Sequence, residues 1–203
     1  MNHAVATPER LVVAARKLFA DNGFDRASVR AITRAARANL GAITYHFGSK
    51  DRLRDEVLAR IVGALAARLE TVAALPLPAT TRVRRIVQSV FEHAAEHPDA
   101  PRLLVRFLLH TGRLPAPVLD RQRVLLGSAV RVVQDGIAAG EFRPVDPFLA
   151  AFSILSQCIW FHLIRGVAAQ INGAALERPE GAAAMADHIT DMINRALAPE
   201  GAP

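Results

Sequence analysis

A chain of 203 residues, 51% of them hydrophobic, is long enough for one or two domains with a sizeable buried core, which excludes a largely disordered protein. Residues 1–54 contain ten lysines and arginines but four acids, so they carry the whole net charge of +6 and the remainder is neutral. The single cysteine, Cys158, excludes an intramolecular disulfide framework, and no signal peptide is predicted, so we expect a soluble cytoplasmic protein.

The N-terminal part of the chain opens with two predicted helices. A first helix is expected over residues 7–22, with Thr7 as the N-cap, Pro8 at the first helical position and Asn22-Gly23 ending it. Ser28 is expected to cap a second helix that runs to about residue 36 with its arginines outside. Such concentrated positive charge is typical of a polyanion-binding module, although an ordinary solvated basic surface has the same composition.

Residues 39–50 are the most informative stretch of the sequence. They predict a short third helix over about residues 39–46, and Ser49 as the cap of a long fourth helix that ends before Pro76. Two helices joined by a tight turn, the second one short and presented outward, form the geometry by which a helix-turn-helix enters the major groove. DNA binding is therefore the leading hypothesis.

The second half of the chain is predicted to be helical throughout, so the expected fold class is all-α. Its sequence shows neither a convincing alternating strand nor a glycine-rich phosphate loop. Asp146 and Pro147 supply an N-cap acid and a first-turn proline to the most apolar helix, whose interrupted apolar run is too short and too polar to predict a membrane span. The expected helices are 82–97, 102–110, 118–139, 147–171 and 182–197.

Residues 7–57 resemble the DNA-binding domain of the tetracycline-repressor (TetR) family of bacterial transcription regulators. The segments that carry the resemblance are Ala14-Ala15-Arg16-Lys17-Leu18-Phe19, Gly23-Phe24, Ser28-Val29-Arg30-Ala31-Ile32, Asn39-Leu40-Gly41-Ala42-Ile43 and Tyr45-His46-Phe47-Gly48-Ser49-Lys50-Asp51-Arg52-Leu53. Their order and spacing are more specific than any one of them. The resemblance implies a helix-turn-helix domain over residues 1–55, joined by a long fourth helix to a helical effector-binding and dimerisation domain over residues 56–203.

The resemblance also implies which residues contact DNA. Tyr45, His46 and Lys50 are expected to contact phosphates, and Arg30 a phosphate or a guanine edge. Small or apolar side chains of the third helix would face the major groove, and Ile43 and Phe47 the core. Packing of Tyr45 on the first helix and a merely solvated Arg30 are the alternatives. The expected DNA-binding set is Ser28, Arg30, Arg37, Asn39, Leu40, Gly41, Ala42, Thr44, Tyr45, His46 and Lys50.

Arg37 departs from the family pattern, which usually has glycine in the turn before the third helix. If the backbone there is left-handed, arginine costs roughly 1 kcal/mol that glycine avoids. The turn is then either strained or differently wound. A phosphate contact by the arginine would offset that cost.

For the C-terminal domain, the resemblance implies a homodimer formed through the last two helices, bound to a pseudo-palindromic operator and released by a small molecule. The candidate pocket is apolar, which favours a hydrophobic or aromatic effector. Each candidate side chain has an alternative role in the core or the dimer interface. The expected effector-binding set is Phe91, Phe107, His110, Phe152, Gln157, Trp160 and Phe161. No cofactor, metal or membrane is expected, and Cys158 is expected to be a small core residue.

Two other classes of function are kept as alternatives. His93, Glu96 and His97 fit the spacing of inverted zinc proteases, although this short pattern abuts the helix-ending Pro98 and is more typical of a solvated helix end, so no enzyme is expected. A non-specific basic module that coats nucleic acid or a membrane surface would concentrate its charge in the same way. Unlike a repressor, it would bind all DNA duplexes equally.

Overall fold

A computed structural model describes residues 6–172, 176 and 178–199, and within these ranges the regular structure is helical, without a β-strand. The all-α prediction is confirmed, and the helices follow the predicted order. They are α1 (Thr7–Asn22), α2 (Val29–Ala35), α3 (Ala42–Phe47), α4 (Lys50–Ala73), α5 (Ala79–Glu96), α6 (Ala100–Thr111), α7 (Ala116–Ala138), α8 (Pro147–Asn172) and α9 (Pro179–Leu197).

Three of the four predicted N-caps are confirmed by hydrogen bonds. Ser28 Oγ accepts from Ala31 N at 3.1 Å, Ser49 Oγ accepts from Arg52 N at 3.1 Å, and Asp146 Oδ1 accepts from the amides of residues 148 and 149. The predicted Thr7 cap is wrong, because the N-cap of α1 is Ala6 and the Thr7 hydroxyl instead accepts from Arg10 Nη2.

The predicted start of the third helix is three residues early. Ala42 N donates to Asn39 O at 2.9 Å, so Asn39, Leu40 and Gly41 form a turn that leads into α3. The helix has six residues, which is too few for independent stability. Its position therefore depends on packing against α1 and α2, with which it is in contact.

The described chain divides into two compact units that interleave along the sequence. The first unit contains residues 6–62 and Arg102–Asp120, and the second contains Gly63–Pro101 and residues from Arg121 onward. The predicted domain boundary at residue 55 divides the chain only once. By compactness alone, residues 102–120 group with the N-terminal helices, and the boundary at residue 55 stays a prediction.

Phe107 on α6 explains why residues 102–120 belong to the first unit. It is buried, its ring lies edge-on to Phe24 with centroids 5.6 Å apart, and the Arg54 guanidinium lies 4.8 Å from its centroid. The guanidinium of Arg106 covers Gly23, where a Cβ would lie 2.5 Å from Arg106 Nη2 and where φ is +82°. The positive φ therefore favours glycine at this end of α1, whereas the guanidinium of the flexible Arg106 side chain could move aside.

The second unit is built on α5, which packs against both α8 and α9. The buried Arg82 of α5 donates to Asp135 Oδ2 at 2.7 Å and to Ala73 O at 3.0 Å, so its charge is paired inside the unit. At Gly136 a Cβ would lie 2.2 Å from the Phe142 ring, so glycine permits this close approach. Cys158 is fully buried, as predicted, and burial raises the pKa of its thiol to about 12.

Candidate nucleic-acid interface and effector site

The helix-turn-helix is held by a small apolar core in the first unit. Phe19 of α1, Ile32 of α2, Ile43 of α3 and Leu53 of α4 are all buried. The prediction that Ile43 faces the core is confirmed, whereas Phe47 is only partly buried. Because α3 is anchored through Ile43, its opposite face is left for solvent or DNA.

The turn between α2 and α3 is a Schellman motif with arginine in the glycine position. Ala38 N donates to Thr33 O at 2.9 Å and Arg37 N donates to Arg34 O at 3.1 Å. Among the described residues, Arg37 is the one non-glycine residue with a positive φ, which is 51°. The left-handed backbone considered in the sequence analysis is therefore present, and arginine at this position is strained.

Arg10 supports this turn from α1, a role that sequence reasoning missed. Its Nε donates to Ala36 O at 3.0 Å, and Ala36 is the C-cap of α2. The bond satisfies a carbonyl that has no partner within the helix. Nothing in the spacing of an arginine on α1 indicates a contact 26 residues away, so only the fold reveals it.

The recognition surface, which we define as Asn39, Leu40, Gly41, Ala42, Thr44, Tyr45 and His46, is largely exposed. Tyr45 is 85% exposed, so packing of this side chain against α1 is excluded in the free protein. Its ring lies edge-on to His46 at a centroid distance of 4.8 Å. Leu40 is 55% exposed and Ala42 is partly buried.

A basic groove lies at one edge of the recognition surface and brings Arg10 and Arg37 to the same face as Tyr45 and His46. Its volume is 540 Å³. Two guanidinium groups and an imidazole in one groove favour an anion such as a phosphate. The lining residues are Thr7, Arg10, Arg37, Ala38, Asn39, Gly41, Ala42, Tyr45 and His46.

The other predicted DNA contacts on α2 are Ser28 and Arg30. The Ser28 hydroxyl is engaged as the N-cap, yet the residue remains exposed. Arg30 is exposed near the start of α2, where its side chain can reach a phosphate or a base edge. Both positions stay consistent with the predicted contacts.

The ammonium group of Lys50 forms hydrogen bonds to backbone carbonyls of the same chain. Its Nζ donates to Phe24 O at 2.9 Å, to Ala27 O at 3.2 Å and to Asp25 O at 3.5 Å. These carbonyls belong to the segment between α1 and α2, so the ammonium group ties the start of α4 to that segment. A phosphate contact by Lys50 stays a prediction, and it would have to share or replace these bonds.

Replacement of Lys50 by methionine separates its structural role, the hydrogen bonds to the carbonyls between α1 and α2, from its predicted phosphate contact. We expect the free energy of unfolding to fall by about 1.5–3 kcal/mol, because carbonyls bonded to a charged group lose their donor. Lys17→Met, at an exposed lysine of α1, is the matched control and is expected to change little. Urea unfolding measures the difference. Unchanged stability together with a log-log salt slope of DNA binding lower by about 0.9 would instead assign Lys50 to phosphate alone.

The predicted effector residues are distributed over both units. Phe107 and His110 lie in the first unit, where Phe107 is buried and His110 is exposed, so their role in effector binding stays a prediction. In the second unit the structure brings together only Phe91 and Phe161, whose rings stack with centroids 5.3 Å apart. Gln157 lines a separate groove of 480 Å³ along α8 and α9.

Phe152 and Trp160 lie on an exposed apolar face of α8. By length and composition alone this helix could cross a membrane from Pro147 to Ile171, a test that a core helix of a soluble protein also passes. One third of its most apolar window is buried, and the exposed large side chains recur at helical spacing. We call them the α8 face: Phe148, Leu149, Phe152, Trp160, Val167 and Ile171.

The zinc-protease pattern does not form a metal site. Among the described residues, no group of three or more histidine, cysteine, aspartate or glutamate side chains is placed to hold a metal ion. The Glu96 carboxylate forms an ion pair with Arg68, and that hydrogen bond lowers the pKa of Glu96. His93 and His97 are ring neighbours at 4.8 Å near the end of α5. The zinc-hydrolase alternative is therefore not supported.

Comparisons with known proteins agree with the fold and with the helix-turn-helix. The family model described as bacterial regulatory proteins, tetR family, matches residues 11–57, and that of the tetracyclin repressor-like C-terminal domain matches residues 80–193. The HTH-type transcriptional repressor NicS of Pseudomonas putida is 29% identical over 163 residues, which cover 77% of this chain and 75% of NicS.

Two solved structures of tetR-family regulators have the same fold. The regulator PfmR from Thermus thermophilus has a TM-score of 0.75 and 22% identity, covering 97% of this chain and 100% of PfmR. A bacterial regulatory protein from Rhodococcus has a TM-score of 0.76 and 20% identity, covering 96% of this chain and 98% of its own. The chain therefore belongs to the tetR family of bacterial regulatory proteins and is a DNA-binding transcriptional regulator.

Proposed function

We propose that this cytoplasmic regulator is a repressor that binds a pseudo-palindromic operator as a homodimer and leaves it when a small apolar molecule binds the second unit. The observation that carries the DNA-binding part is the exposed recognition surface beside a groove containing Arg10 and Arg37. The net charge of the chain lies in the same segment, residues 1–54. A dimer would place its two recognition helices roughly 34 Å apart, one DNA turn, or somewhat more.

The recognition surface offers few groups for direct base readout. Leu40, Gly41 and Ala42 can contact thymine methyl groups and permit close backbone approach, but they form no hydrogen-bond code. Tyr45 and His46 are better suited to phosphate. Sequence specificity is therefore expected to come in part from Arg30, from the spacing of the two half-sites and from DNA shape.

Recovery of bound DNA from the native host tests the DNA-binding proposal. We expect enrichment of a limited set of sites with a two-fold repeated sequence, and retention of these sites in the presence of competitor DNA. Arg30→Ala is expected to weaken binding by about 1–3 kcal/mol and to relax the preference at one base position. Equal affinity for every duplex would support the non-specific basic module and contradict the repressor.

Arg37→Gly tests whether the strained turn is offset by a phosphate contact. We expect the glycine variant to be about 1 kcal/mol more stable, because glycine adopts the left-handed conformation without strain. We also expect the log-log salt slope of operator binding to fall by about 0.9, the value for one phosphate charge. Thermal unfolding and salt titration measure the two effects. Greater stability with unchanged operator binding would refute the contact.

The dimer proposal is supported by the α8 face. A row of exposed apolar side chains on a soluble regulator is a surface that another apolar surface must cover. A second copy of the same helix would do so, in keeping with the pairing of the last two helices that the family resemblance implies. Burial by a partner subunit also explains why α8 has the hydropathy of a membrane span.

The effector proposal is supported by the stacked Phe91 and Phe161, which come from α5 and α8. Two aromatic rings in the body of the second unit favour a flat, apolar ligand. We expect an effector to weaken operator binding without changing its salt slope, since it does not contact phosphates. Titration of the protein–operator complex with candidate compounds, followed by fluorescence anisotropy of labelled operator, measures this release.

A further inference from the structure

A third ring, the imidazole of His162, joins the stacked pair Phe91 and Phe161. His162 of α8 lies against the Phe91 ring at a centroid distance of 4.6 Å and beside Phe161 at 5.4 Å. The histidine is 8% exposed, and both phenylalanines are 7% exposed. The cluster is therefore buried but retains a small accessible surface.

The imidazole of His162 has an unsatisfied nitrogen. Its Nε2 is buried and has no hydrogen-bond partner among the described residues. A buried polar atom without a partner destabilises the folded protein, and an apolar ring of similar shape would avoid this cost. A polar group retained in such a position points to a partner that the free chain does not supply.

The environment of His162 also determines the charge of its imidazole ring, and therefore which kind of group can pair with it. Burial, together with the positive charge of Arg165, lowers the pKa of His162 to about 4. The imidazole is therefore neutral near pH 7, so one ring nitrogen donates and the other accepts a hydrogen bond. A neutral hydroxyl group can serve Nε2 in either tautomer, since it both donates and accepts.

We propose that His162 is the polar anchor of the effector site, and that it binds an uncharged aromatic molecule bearing one hydroxyl group. The ring of this molecule contacts Phe91 and Phe161, and its hydroxyl group bonds His162 Nε2. The inference rests on the proposed effector function of the second unit and adds the chemical class of the ligand. Because the cluster lies within the second unit, the site requires no residue from the DNA-binding helices.

Two probes of nearly identical shape, p-cresol and p-xylene, test the hydroxyl requirement. We expect the full-length wild-type protein to bind p-cresol about tenfold more tightly, because only the hydroxyl satisfies the buried nitrogen. Equilibrium dialysis gives both affinities. In His162→Phe the preference is expected to disappear, and the unliganded variant is expected to melt at a higher temperature. His162→Gln, which retains a hydrogen-bonding group, is expected to recover part of the preference.

Three results would overturn the assignment: equal affinity of the wild type for both probes, no binding of either at millimolar concentration, or an unchanged preference in both variants. A lower melting temperature of unliganded His162→Phe would also contradict it, because the histidine would then have a partner already. Operator release is measured separately. Binding of p-cresol through His162 without any effect on operator affinity would leave this site standing and refute induction. A compound that releases the operator equally well from wild type and from His162→Phe would support induction but refute His162 as the anchor.

Discussion

Replacement of Phe107 by alanine is expected to lower the free energy of unfolding by about 3–5 kcal/mol, the usual cost of truncating a buried phenylalanine. The side chain is 4% exposed and contacts both Phe24 and the Arg54 guanidinium. Its loss leaves a cavity within the first unit and removes the ring on which the guanidinium lies. Operator binding is expected to weaken as well, since the helix-turn-helix shares this core.

Leu109→Ala is the matched control for Phe107→Ala. It truncates a large apolar side chain on the same helix, but Leu109 is 82% exposed, so a change within about 0.5 kcal/mol is expected. Phe107→Leu, which retains most of the buried volume, should lie between the two. Urea unfolding followed by circular dichroism ranks the three variants. Equal stability of Phe107→Ala and Leu109→Ala would show that α6 does not stabilise the first unit.

The second large effect is expected at the α8 face. Trp160→Glu places a charge on a side chain that is 61% exposed in one chain and, in the proposed dimer, covered by the other. Burying an unpaired carboxylate is costly, so the dimer is expected to dissociate. Operator affinity should fall by about 100-fold or more, because a monomer loses the avidity of two linked binding sites. Sedimentation velocity and operator titration measure the two consequences.

Gln134→Glu adds the same charge at an exposed position of α7 and serves as the control for Trp160→Glu. It is expected to remain dimeric and to bind the operator normally. Trp160 is the chain's one tryptophan, so its fluorescence reports on burial of the α8 face in the wild-type protein. A monomeric wild-type protein that binds its operator with full affinity would contradict the proposed dimer.

Local sequence signals predicted the helices well because they act over one turn. Ser28, Ser49 and Asp146 are caps whose partners lie two or three residues away, so the sequence is enough to identify them. Arg37 drew attention because the family that the sequence resembles usually has glycine in this turn, and the structure shows the left-handed backbone that makes the substitution strained. The fold class and the order of the helices could therefore be predicted without coordinates, whereas the strained turn was one of two alternatives until φ was known.

Contacts between distant segments could not be derived in the same way. The carbonyls that accept hydrogen bonds from Lys50 lie 23–26 residues away along the chain. Only the path of the segment between α1 and α2 brings them within reach of the ammonium group. At Phe107 the sequence does not distinguish an effector contact from a core position, because an aromatic side chain on an apolar helix fits both environments. In the sequence, His162 is one polar residue within the apolar run of α8, and its unsatisfied nitrogen becomes visible only when its neighbours are known.

The interleaving of the two units has a consequence for the folding of the nascent chain. The first unit needs residues up to Asp120, yet its N-terminal part ends at Val62. At about 5–20 residues per second, synthesis of the 58 residues from Gly63 to Asp120 takes roughly 3–12 seconds. During this interval the surface that later receives Phe107 is uncovered on the ribosome. The DNA-binding unit is therefore completed only after Gly63–Pro101 of the second unit have been made.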